Sequence, residues 1–387
     1  METKKINIAI DASRSKSGGG VSHMKGIITD LDLAGTSVEK VHVWGYRKLL
    51  NALPERPWLV KHGHPLIEKS LPHQLWWQYK ILPKLMKENR CDILLSTDAG
   101  TVLIYHPSVV MSRDMLSFEK SEIKRYGISK AWLRLFLLRF VQIRSLKNAD
   151  GTIFLTKYAA DTIMQWSGKI TDYRIIPHGV SQTFKQVNAK AEWQSVHKQP
   201  IQCLYVSNTA LYKHQWHVVE AISCLRSQGY NLKLKLVGGG LGKSKRMLDD
   251  AIRKFDPERR FVLTDSFVPQ DQLPEILSEA HIFIFASSCE NMPNTLVEAM
   301  SVGLPIACSD RGPMPEVLQD GGVYFDPENP ESIADALKKI LNDEKMRNQI
   351  KEKAKNLANR YSWARCARET IQYLVDIYFK THNSKLE

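Results

Sequence analysis

The chain has 387 residues, more than one hydrophobic core usually organises, so we expect two domains. Hydrophobic residues make up 43% and charged residues 25% of the sequence, as is ordinary for a globular protein. The formal net charge of +13 is not ordinary, and it favours a polyanionic partner: nucleic acid, an anionic membrane surface or a diphosphate-bearing substrate.

The cysteines and the apolar runs exclude several classes of protein. The six cysteines are scattered, without a CxxC pair or His-rich neighbours, which excludes a disulfide framework and a zinc site and indicates a reduced compartment. No apolar run approaches the roughly 18 residues that a membrane span needs. Residues 1–5 lead directly into a strand-like run, so we expect a cytoplasmic protein without an ordinary export signal.

The first half of the chain alternates short apolar runs with helix-like stretches, a pattern typical of a mostly parallel sheet with helices on both faces. Ligands of such sheets bind beyond the carboxyl ends of the strands, so we expect the site residues in the loops that follow the strands. The predicted strands are 6–10, 41–44, 93–96, 108–111, 151–155 and 173–177.

Three of those loops carry candidate site residues. The loop after the first strand ends in Gly18-Gly19-Gly20, and glycine allows a close approach of the backbone to a ligand; a plain flexible turn is the other interpretation. Asp98 follows the third strand, and Arg113-Asp114 follow the fourth. Arg113 suits a diphosphate partner, but a salt bridge to a structural acid accounts for it equally well.

Residues 120–147 carry eight cations against a single acid, Glu122. At about 100° per residue, Lys130, Arg134 and Arg144 fall within roughly an 80° arc, so the segment predicts an imperfectly amphipathic basic helix. Such a helix can lie on an anionic membrane, or it can pack its apolar face on a sheet. No nucleic-acid motif accompanies the charge, so we expect no nucleic-acid partner.

The second half of the chain begins after a polar stretch, 184–200, which predicts a linker. Further strands are predicted at 201–206, 231–237, 261–264, 281–286 and 305–309, and helices at 331–342, 344–360 and 363–381. Lys213 lies in the loop between the first of these strands and a helix, where a plain surface lysine is the alternative interpretation.

The stretch from Ser287 to Met300 predicts a strand-to-helix turn, where unpaired backbone N–H groups and the helix dipole favour an anion. Asn294 is a plausible cap of the helix. Glu290 and Glu298 bracket the turn, and these acids would repel an anion unless they accept hydrogen bonds from hydroxyl groups. A ligand with a phosphate at one end and sugar hydroxyls at the other satisfies both demands.

The pattern Ser-x-x-Glu-Asn-Met-Pro-Asn-Thr-Leu-x-Glu-Ala-Met over 287–300 resembles the nucleotide-sugar signature of retaining glycosyltransferase family 4, among the glycosyl transferases group 1. A surface helix with solvated glutamates is the alternative. The resemblance implies an α/β GT-B fold: two Rossmann-like, doubly wound domains facing a cleft, with a C-terminal helix that returns to the first domain. The implied domains are 1–183 with 362–387, the linker 184–200, and the nucleotide-sugar domain 201–361.

The resemblance also implies roles for individual residues. Glu290 and Lys213 would be catalytic, with Glu290 holding hydroxyls of the transferred sugar and Lys213 facing the phosphates, while Glu298 would hold the ribose hydroxyls. The implied donor-binding residues are Gly19, Gly20, Lys213, Glu290, Asn291, Met292, Pro293, Asn294, Thr295 and Glu298. Asp98, Arg113 and Asp114 are the acceptor-side candidates. The chain departs from the family where it has Ser207-Asn208 instead of an arginine, and Arg113 instead of a histidine.

The activity that the resemblance implies is transfer of a hexose-type sugar from a nucleoside diphosphate to a glycan or polyprenyl-diphosphate-linked acceptor, in cell-surface polysaccharide synthesis. Retention of configuration is implied as well. No Asp-x-Asp pair lies in a loop where it would hold a divalent ion, so we expect neither a metal nor another cofactor. With residues 120–147 on an anionic membrane, the enzyme would be peripheral at the inner face of the cytoplasmic membrane. The alternatives are a non-catalytic sugar-nucleotide-binding protein and a GT-B epimerase.

Overall fold

The computed structural model describes residues 4–16, 18–189 and 200–383. The chain divides into two compact units: unit 1 is Met1–Gly179 with Ser362–Glu387, and unit 2 is Val180–Tyr361. Most of the predicted linker, residues 190–199, lies outside the described residues.

Unit 1 is built on a seven-stranded parallel sheet in the order β3-β2-β1-β4-β5-β6-β7. Its strands are β1 Ile6–Asp11, β2 Val38–Trp44, β3 Leu59–His62, β4 Ile93–Ser96, β5 Ser108–Met111, β6 Gly151–Phe154 and β7 Tyr173–Ile175. Every residue of β4, β5 and β6 is buried, as expected for parallel strands covered on both faces. The strand order reverses between β1 and β4, so the loops after these two strands leave from neighbouring positions.

The helices of unit 1 connect these strands. They are α1 Gly19–Asp30, α2 Arg47–Ala52, α3 Leu71–Trp76, α4 Leu82–Glu88, α5 Lys120–Lys124, α6 Lys130–Asn148 and α7 Lys157–Ser167, with a π-helical turn at Trp77–Ile81 between α3 and α4. Gly18 has φ 56° and caps α1, so Gly19 and Gly20 are the first two helical residues.

Unit 2 repeats the same topology with six parallel strands in the order β10-β9-β8-β11-β12-β13. The strands are β8 Ile201–Val206, β9 Leu232–Val237, β10 Val262–Asp265, β11 Ile282–Phe285, β12 Ile306–Ser309 and β13 Val323–Phe325. The helices are α8 Gln182–Lys185, α9 Gln215–Ser227, α10 Lys243–Phe255, α11 Leu273–Ser278, α12 Asn294–Val302, α13 Met314–Leu318, α14 Pro330–Asn342 and α15 Glu344–Ala358. The reversal of strand order lies between β8 and β11.

The last helix, α16 Trp363–Asn383, belongs to unit 1, which confirms the predicted return of the chain. A Cβ atom at Gly26 of α1 would lie only 2.2 Å from Trp363 Cδ2, so this glycine lets α16 approach α1 closely. Further along the helix, Tyr373 Oη accepts a hydrogen bond from Thr152 N at 3.1 Å and donates to Asp172 Oδ1 at 2.8 Å. The helix is therefore fixed to the sheet by both packing and hydrogen bonds.

The expectation of two Rossmann-like, doubly wound domains is confirmed. Two strands were absent from the prediction: β3, a four-residue edge strand with one buried residue, and the three-residue β13. β3 ends in the polar residues Lys61 and His62, and β13 has only three residues, so neither forms the run of four or more apolar residues that identifies a covered parallel strand.

Candidate active site

The candidate donor site of unit 2 lies at the carboxyl ends of β8 and β11, where the strand order reverses. The loop after β8 carries Lys213, and the loop after β11 carries Glu290. These residues are 77 positions apart in the sequence, and the sheet topology brings their loops side by side. This is the position where parallel sheets of this kind bind their ligands.

The side chains of Lys213 and Glu290 form an ion pair through Lys213 Nζ and Glu290 Oε1. Both are largely buried: their side chains are 9% and 17% exposed. Lys213 Nζ also lies 5.5 Å from the centre of the Phe285 ring. The pair therefore holds one cation and one carboxylate at fixed positions, which is a stronger arrangement than a solvated surface pair.

Hydrogen bonds between the two loops fix this arrangement. Ser288 N donates to Tyr212 O at 2.8 Å, and Ser288 Oγ lies 2.8 Å from His214 Nε2. Tyr205 Oη donates to Lys213 O at 2.7 Å from the floor of the site. The sequence prediction missed these supporting residues, although His214 and Ser288 lie within two positions of the residues it did select.

The helix α12 begins beside Glu290, but the predicted cap is wrong. Pro293 occupies the capping position, Asn294 is the first helical residue, and no side chain caps the helix. Pro293 O accepts hydrogen bonds from Leu296 N at 3.1 Å and Val297 N at 3.2 Å. The helix thus starts directly at the proline, with the positive end of its dipole at the turn.

The remaining donor-binding candidates of this turn differ in their exposure. Asn291 and Met292 are buried, whereas Asn294 and Thr295 are partly exposed. Thr295 Oγ1 donates to Val206 O at 3.3 Å, which ties the first turn of α12 to the end of β8.

Glu298 lies one helical turn beyond the start of α12 and is 8% exposed. Burial raises the pKa of its carboxyl group to about 8, and Gln270 Nε2 donates to Glu298 Oε1 at 3.4 Å. A carboxyl group with this pKa accepts a hydrogen bond from a hydroxyl at the cost of losing its proton, so ligand binding and proton release are linked at this residue.

A glycine turn after β9 supports the same loops. Gly238 has φ +132°, and a Cβ atom there would lie 2.4 Å from Ser207 O. Thr209 N donates to Gly239 O at 2.7 Å. Only glycine therefore allows the loop after β9 to lie against the loop that leads to Lys213.

The candidates of unit 1 also meet at the carboxyl end of a sheet. Arg113 Nη2 lies 3.8 Å from Asp98 Oδ2 and donates to Ser15 Oγ at 3.3 Å. A Cβ atom at Gly20 would lie 2.8 Å from Arg113 Nη1, so the first turn of α1 contacts this arginine. Burial lowers the pKa of Arg113, while Asp98 and Asp114 oppose that shift.

The acids beside Arg113 serve the local backbone as well. Asp98 Oδ1 accepts a hydrogen bond from Gly100 N at 2.7 Å, and Asp114 Oδ1 accepts one from Leu116 N at 3.0 Å. Arg113 therefore pairs with an acid of its own unit, which was the alternative to a diphosphate partner. Gly19 is exposed at the start of α1. The roles of these residues towards a ligand stay predictions.

Within residues 4–16, 18–189 and 200–383, no three His, Cys, Asp or Glu side chains are grouped so that they could hold a metal ion. Metal independence nevertheless stays a prediction. In the same ranges no helix combines the length and the apolarity needed to cross a bilayer.

Residues 188–357 match the family model for glycosyl transferases group 1. The matched segment spans less than half of the chain. It contains Lys213 and the whole stretch from Glu290 to Glu298, so the region that is similar to the family includes the candidate donor site.

Two curated relatives match part of the chain. The O-antigen chain mannosyltransferase B of Escherichia coli is 31% identical over 105 residues, which are 27% of this chain and 28% of the relative. The N-acetylgalactosamine-N,N'-diacetylbacillosaminyl-diphospho-undecaprenol 4-alpha-N-acetylgalactosaminyltransferase of Campylobacter jejuni is 28% identical over 149 residues, 38% of this chain and 39% of the relative. The matched segments thus span less than half of each relative.

Solved structures match nearly the whole chain. The sucrose-phosphate synthase of Thermosynechococcus elongatus has a TM-score of 0.79 at 17% identity, with 97% of this chain and 100% of the other covered. The Anabaena protein HepE in complex with UDP and glucose has a TM-score of 0.71 at 16% identity, with coverage of 96% and 99%. Together with the two Rossmann-like units, these matches show the GT-B fold.

Proposed function

We propose that this protein is a retaining glycosyltransferase that moves a hexose-type sugar from a nucleoside diphosphate to an acceptor hydroxyl. The observation that carries the proposal is the buried pairing of Lys213 with Glu290 at the start of α12, with the carboxyl group of Glu298 one turn further along. One cation, one helix start and two carboxyl groups match the phosphates and the hydroxyls of a nucleotide sugar.

The groups act at different parts of the donor. The bond between the anomeric carbon and the β-phosphate oxygen breaks, so negative charge develops on the departing diphosphate. The ammonium of Lys213 and the positive end of the α12 dipole stabilise that charge without reorganising. Glu290 accepts hydrogen bonds from hydroxyls of the transferred sugar, and Glu298 accepts them from the ribose.

The new bond to the acceptor oxygen forms on the face that the diphosphate leaves, and the departing phosphate oxygen takes the proton of the acceptor hydroxyl. Configuration at the anomeric carbon is then retained, and no side-chain base is required. Since the chain has Ser207-Asn208 where the family has an arginine, Lys213 and the backbone donors carry more of the leaving-group stabilisation.

Transfer of labelled sugar tests the assignment. We expect Lys213→Ala and Glu290→Ala each to abolish transfer from a panel of labelled nucleotide sugars to a membrane extract, with the circular dichroism spectrum unchanged. Lys245→Ala is the matched control, because Lys245 pairs with Asp249 on the surface of α10 in the same unit. Near-normal transfer by either site variant would reject the roles proposed here.

The same assay separates the proposal from a sugar-nucleotide-binding protein without turnover, which the missing arginine at Ser207 would favour. Such a protein would bind the nucleotide but leave the label on it. A GT-B epimerase would return a different nucleotide sugar without an acceptor. Only a transferase moves label into the glycan or lipid fraction.

The acceptor that we propose is a glycan or a polyprenyl-diphosphate-linked glycan in cell-surface polysaccharide synthesis, at the inner face of the cytoplasmic membrane. Two observations support this: the name of the Escherichia coli relative refers to an O-antigen chain, and the name of the Campylobacter relative to a diphospho-undecaprenol substrate.

An anionic membrane surface is the partner that we propose for α6. Leu133, Leu137 and Phe140 are exposed by 51%, 56% and 56%. At about 100° per residue, these three side chains share an arc of about 100° with three exposed cations. We call this set the α6 outer face: Lys130, Leu133, Leu137, Phe140, Arg144 and Lys147.

The α6 outer face combines apolar side chains with cations, as helices that bind anionic lipid surfaces do. It extends over about 25 Å, since an α-helix rises about 1.5 Å per residue. Apolar side chains at its centre can enter the interface while the cations meet lipid phosphates. The acid of this region, Glu122, is buried and paired with Arg125 at 2.8 Å. The sequence left open whether the apolar side of this helix packs on a sheet. Three of its large apolar side chains are exposed, so the helix is only partly covered.

Vesicle sedimentation tests this surface. We expect the protein to bind vesicles containing phosphatidylglycerol, less at high salt, and to bind pure phosphatidylcholine weakly. Leu137→Glu with Phe140→Glu should remove most of the binding, whereas Leu241→Glu, at an exposed leucine of unit 2, should not. Equal binding by both variants would contradict the proposal.

A further inference from the structure

Unit 1 contains a cavity of about 310 Å³ whose lining includes none of the residues assigned above to the donor. Its lining residues are Arg14, Lys16, Leu71 and Gln74. Arg14 and Lys16 lie on the loop that leaves β1, and Leu71 and Gln74 lie on α3. The cavity is therefore at the carboxyl end of the central strand, which is the ligand-binding edge of a sheet of this type.

Two cations line this cavity without a neutralising acid. Within the ranges that the structure describes, the side chains of Arg14 and Lys16 form no ion pair, and Arg14 is only partly exposed. Lys16 Nζ lies 5.0 Å from the centre of the Tyr46 ring. The neighbouring acid Asp98 is occupied by Gly100 N and lies close to Arg113.

The side chain of Gln74 is held by contacts on α3 and its neighbours. Gln74 is 1% exposed, and its Nε2 atom lies within hydrogen-bond distance of Tyr46 Oη (2.5 Å), Ile67 O (3.0 Å) and Lys69 O (2.6 Å). Leu71 is 46% exposed and gives the cavity an apolar side. A ligand that fits must present an anionic group to Arg14 and Lys16 and a less polar part to Leu71.

We propose that this cavity binds the phosphate or diphosphate group of the acceptor. This inference rests on the proposed function, since it names the chemistry of the acceptor of that transferase. Arginine matches the tetrahedral oxygens of a phosphate with two parallel hydrogen bonds, and lysine adds a compact charge. The donor's diphosphate has its own cation, Lys213, in unit 2.

Acceptor kinetics test the cavity. Two acceptors are compared: a lipid-linked sugar diphosphate, and the same sugar as an alkyl glycoside without phosphate. Arg14→Gln and Lys16→Gln should each raise KM for the diphosphate acceptor about 10- to 100-fold, the effect expected for loss of a hydrogen bond to a charged group. KM for the alkyl glycoside and KM for the donor should stay within about twofold.

Three controls make the result specific. Lys48→Gln removes an exposed cation from α2 of the same unit and should change none of these constants. Arg14→Lys should restore part of the diphosphate preference. A rise in the KM for the donor in Arg14→Gln would assign the cavity to the donor's diphosphate and overturn the inference. An unchanged KM for the diphosphate acceptor would overturn it as well.

A binding measurement separates failure of this inference from failure of the proposed function. Calorimetric titration with a short prenyl diphosphate, and with the corresponding prenyl alcohol, needs no turnover. Loss of diphosphate affinity in the Arg14→Gln, Lys16→Gln double variant supports the cavity even if no sugar transfer is ever detected. If the wild-type enzyme transfers sugar and the double variant binds and uses the diphosphate acceptor normally, the proposed role of the cavity is wrong while the proposed function stands.

Discussion

At the scale of residues, the sequence selected candidates for the donor site but not their mutual contacts, and their roles towards a ligand stay predictions. Glu290 was selected from the turn that the strand-like run before Ser287 and the fourteen-residue pattern over 287–300 predicted, and Lys213 was selected from the loop after β8. Their ion pair depends on the adjacency of β8 and β11, which no local pattern encodes. The cap at Asn294 was wrong because Pro293, with φ already suited to a helix start, takes that position.

If Glu298 binds the ribose as proposed, donor binding should depend on pH. Its pKa of about 8 in the free protein should fall when ribose hydroxyls donate to the carboxylate, so binding releases a proton. Affinity for a nucleoside diphosphate should therefore rise with pH, by at most about tenfold per unit, and level off above about pH 8.

Calorimetric titration between pH 6 and pH 9 measures this dependence. Glu298→Gln should bind more weakly and lack this component of the pH dependence, while titration of the nucleotide's own phosphates affects both proteins alike. A wild-type profile that parallels the variant would show that Glu298 does not face the ribose.

At the scale of elements, the predicted central strands agree with the structure because parallel strands covered on both faces consist of apolar residues. The strand β3 was missed because half of it is polar, and β13 because three residues are too short a run to identify a strand. The helix α6 was predicted, but among its leucines only Leu135 and Leu146 are buried. Fewer of its apolar side chains are therefore packed than the periodicity of the sequence indicates. Helical periodicity indicates an amphipathic helix, but not which partner covers its apolar side.

The return of α16 to unit 1 depends on Trp363. This side chain packs on Gly26, and its ring centre lies 5.6 Å from that of His178 and 5.8 Å from that of His23. Trp363→Ala should lower the free energy of unfolding of unit 1 by about 3 kcal/mol or more, as is usual for loss of a buried tryptophan.

Hydrogen exchange followed by mass spectrometry locates that effect. Peptides of α16 and α1 should exchange faster in Trp363→Ala, and peptides of α12 should not change. Leu241→Ala, at a leucine that is 91% exposed, should leave all of them unaltered. Protection of α16 that survives the loss of Trp363 would show that Tyr373 and its hydrogen bonds suffice.

At the scale of the whole molecule, the length predicted two domains, the alternating pattern predicted a parallel sheet in the first half, and the family resemblance implied two Rossmann-like units, which the structure confirms. The net charge of +13 predicted an anionic partner without locating it. The structure distributes that charge over distinct places: Lys213 in the donor site, Arg14 and Lys16 in the cavity of unit 1, and the α6 outer face. Each of these places has a separate proposed anionic partner.

The central claim is that the Lys213–Glu290 site and the start of α12 bind a nucleoside diphosphate. Thermal unfolding in the presence of a panel of nucleoside diphosphates tests it most directly, because a ligand that binds only the folded state raises the melting temperature with its occupancy. At about 100-fold excess over Kd, we expect at least one of them to raise Tm by about 5 to 10 °C, and Lys213→Ala to lose most of that rise while Lys245→Ala keeps it. No rise with any nucleoside diphosphate, or an undiminished rise in Lys213→Ala, would contradict the account.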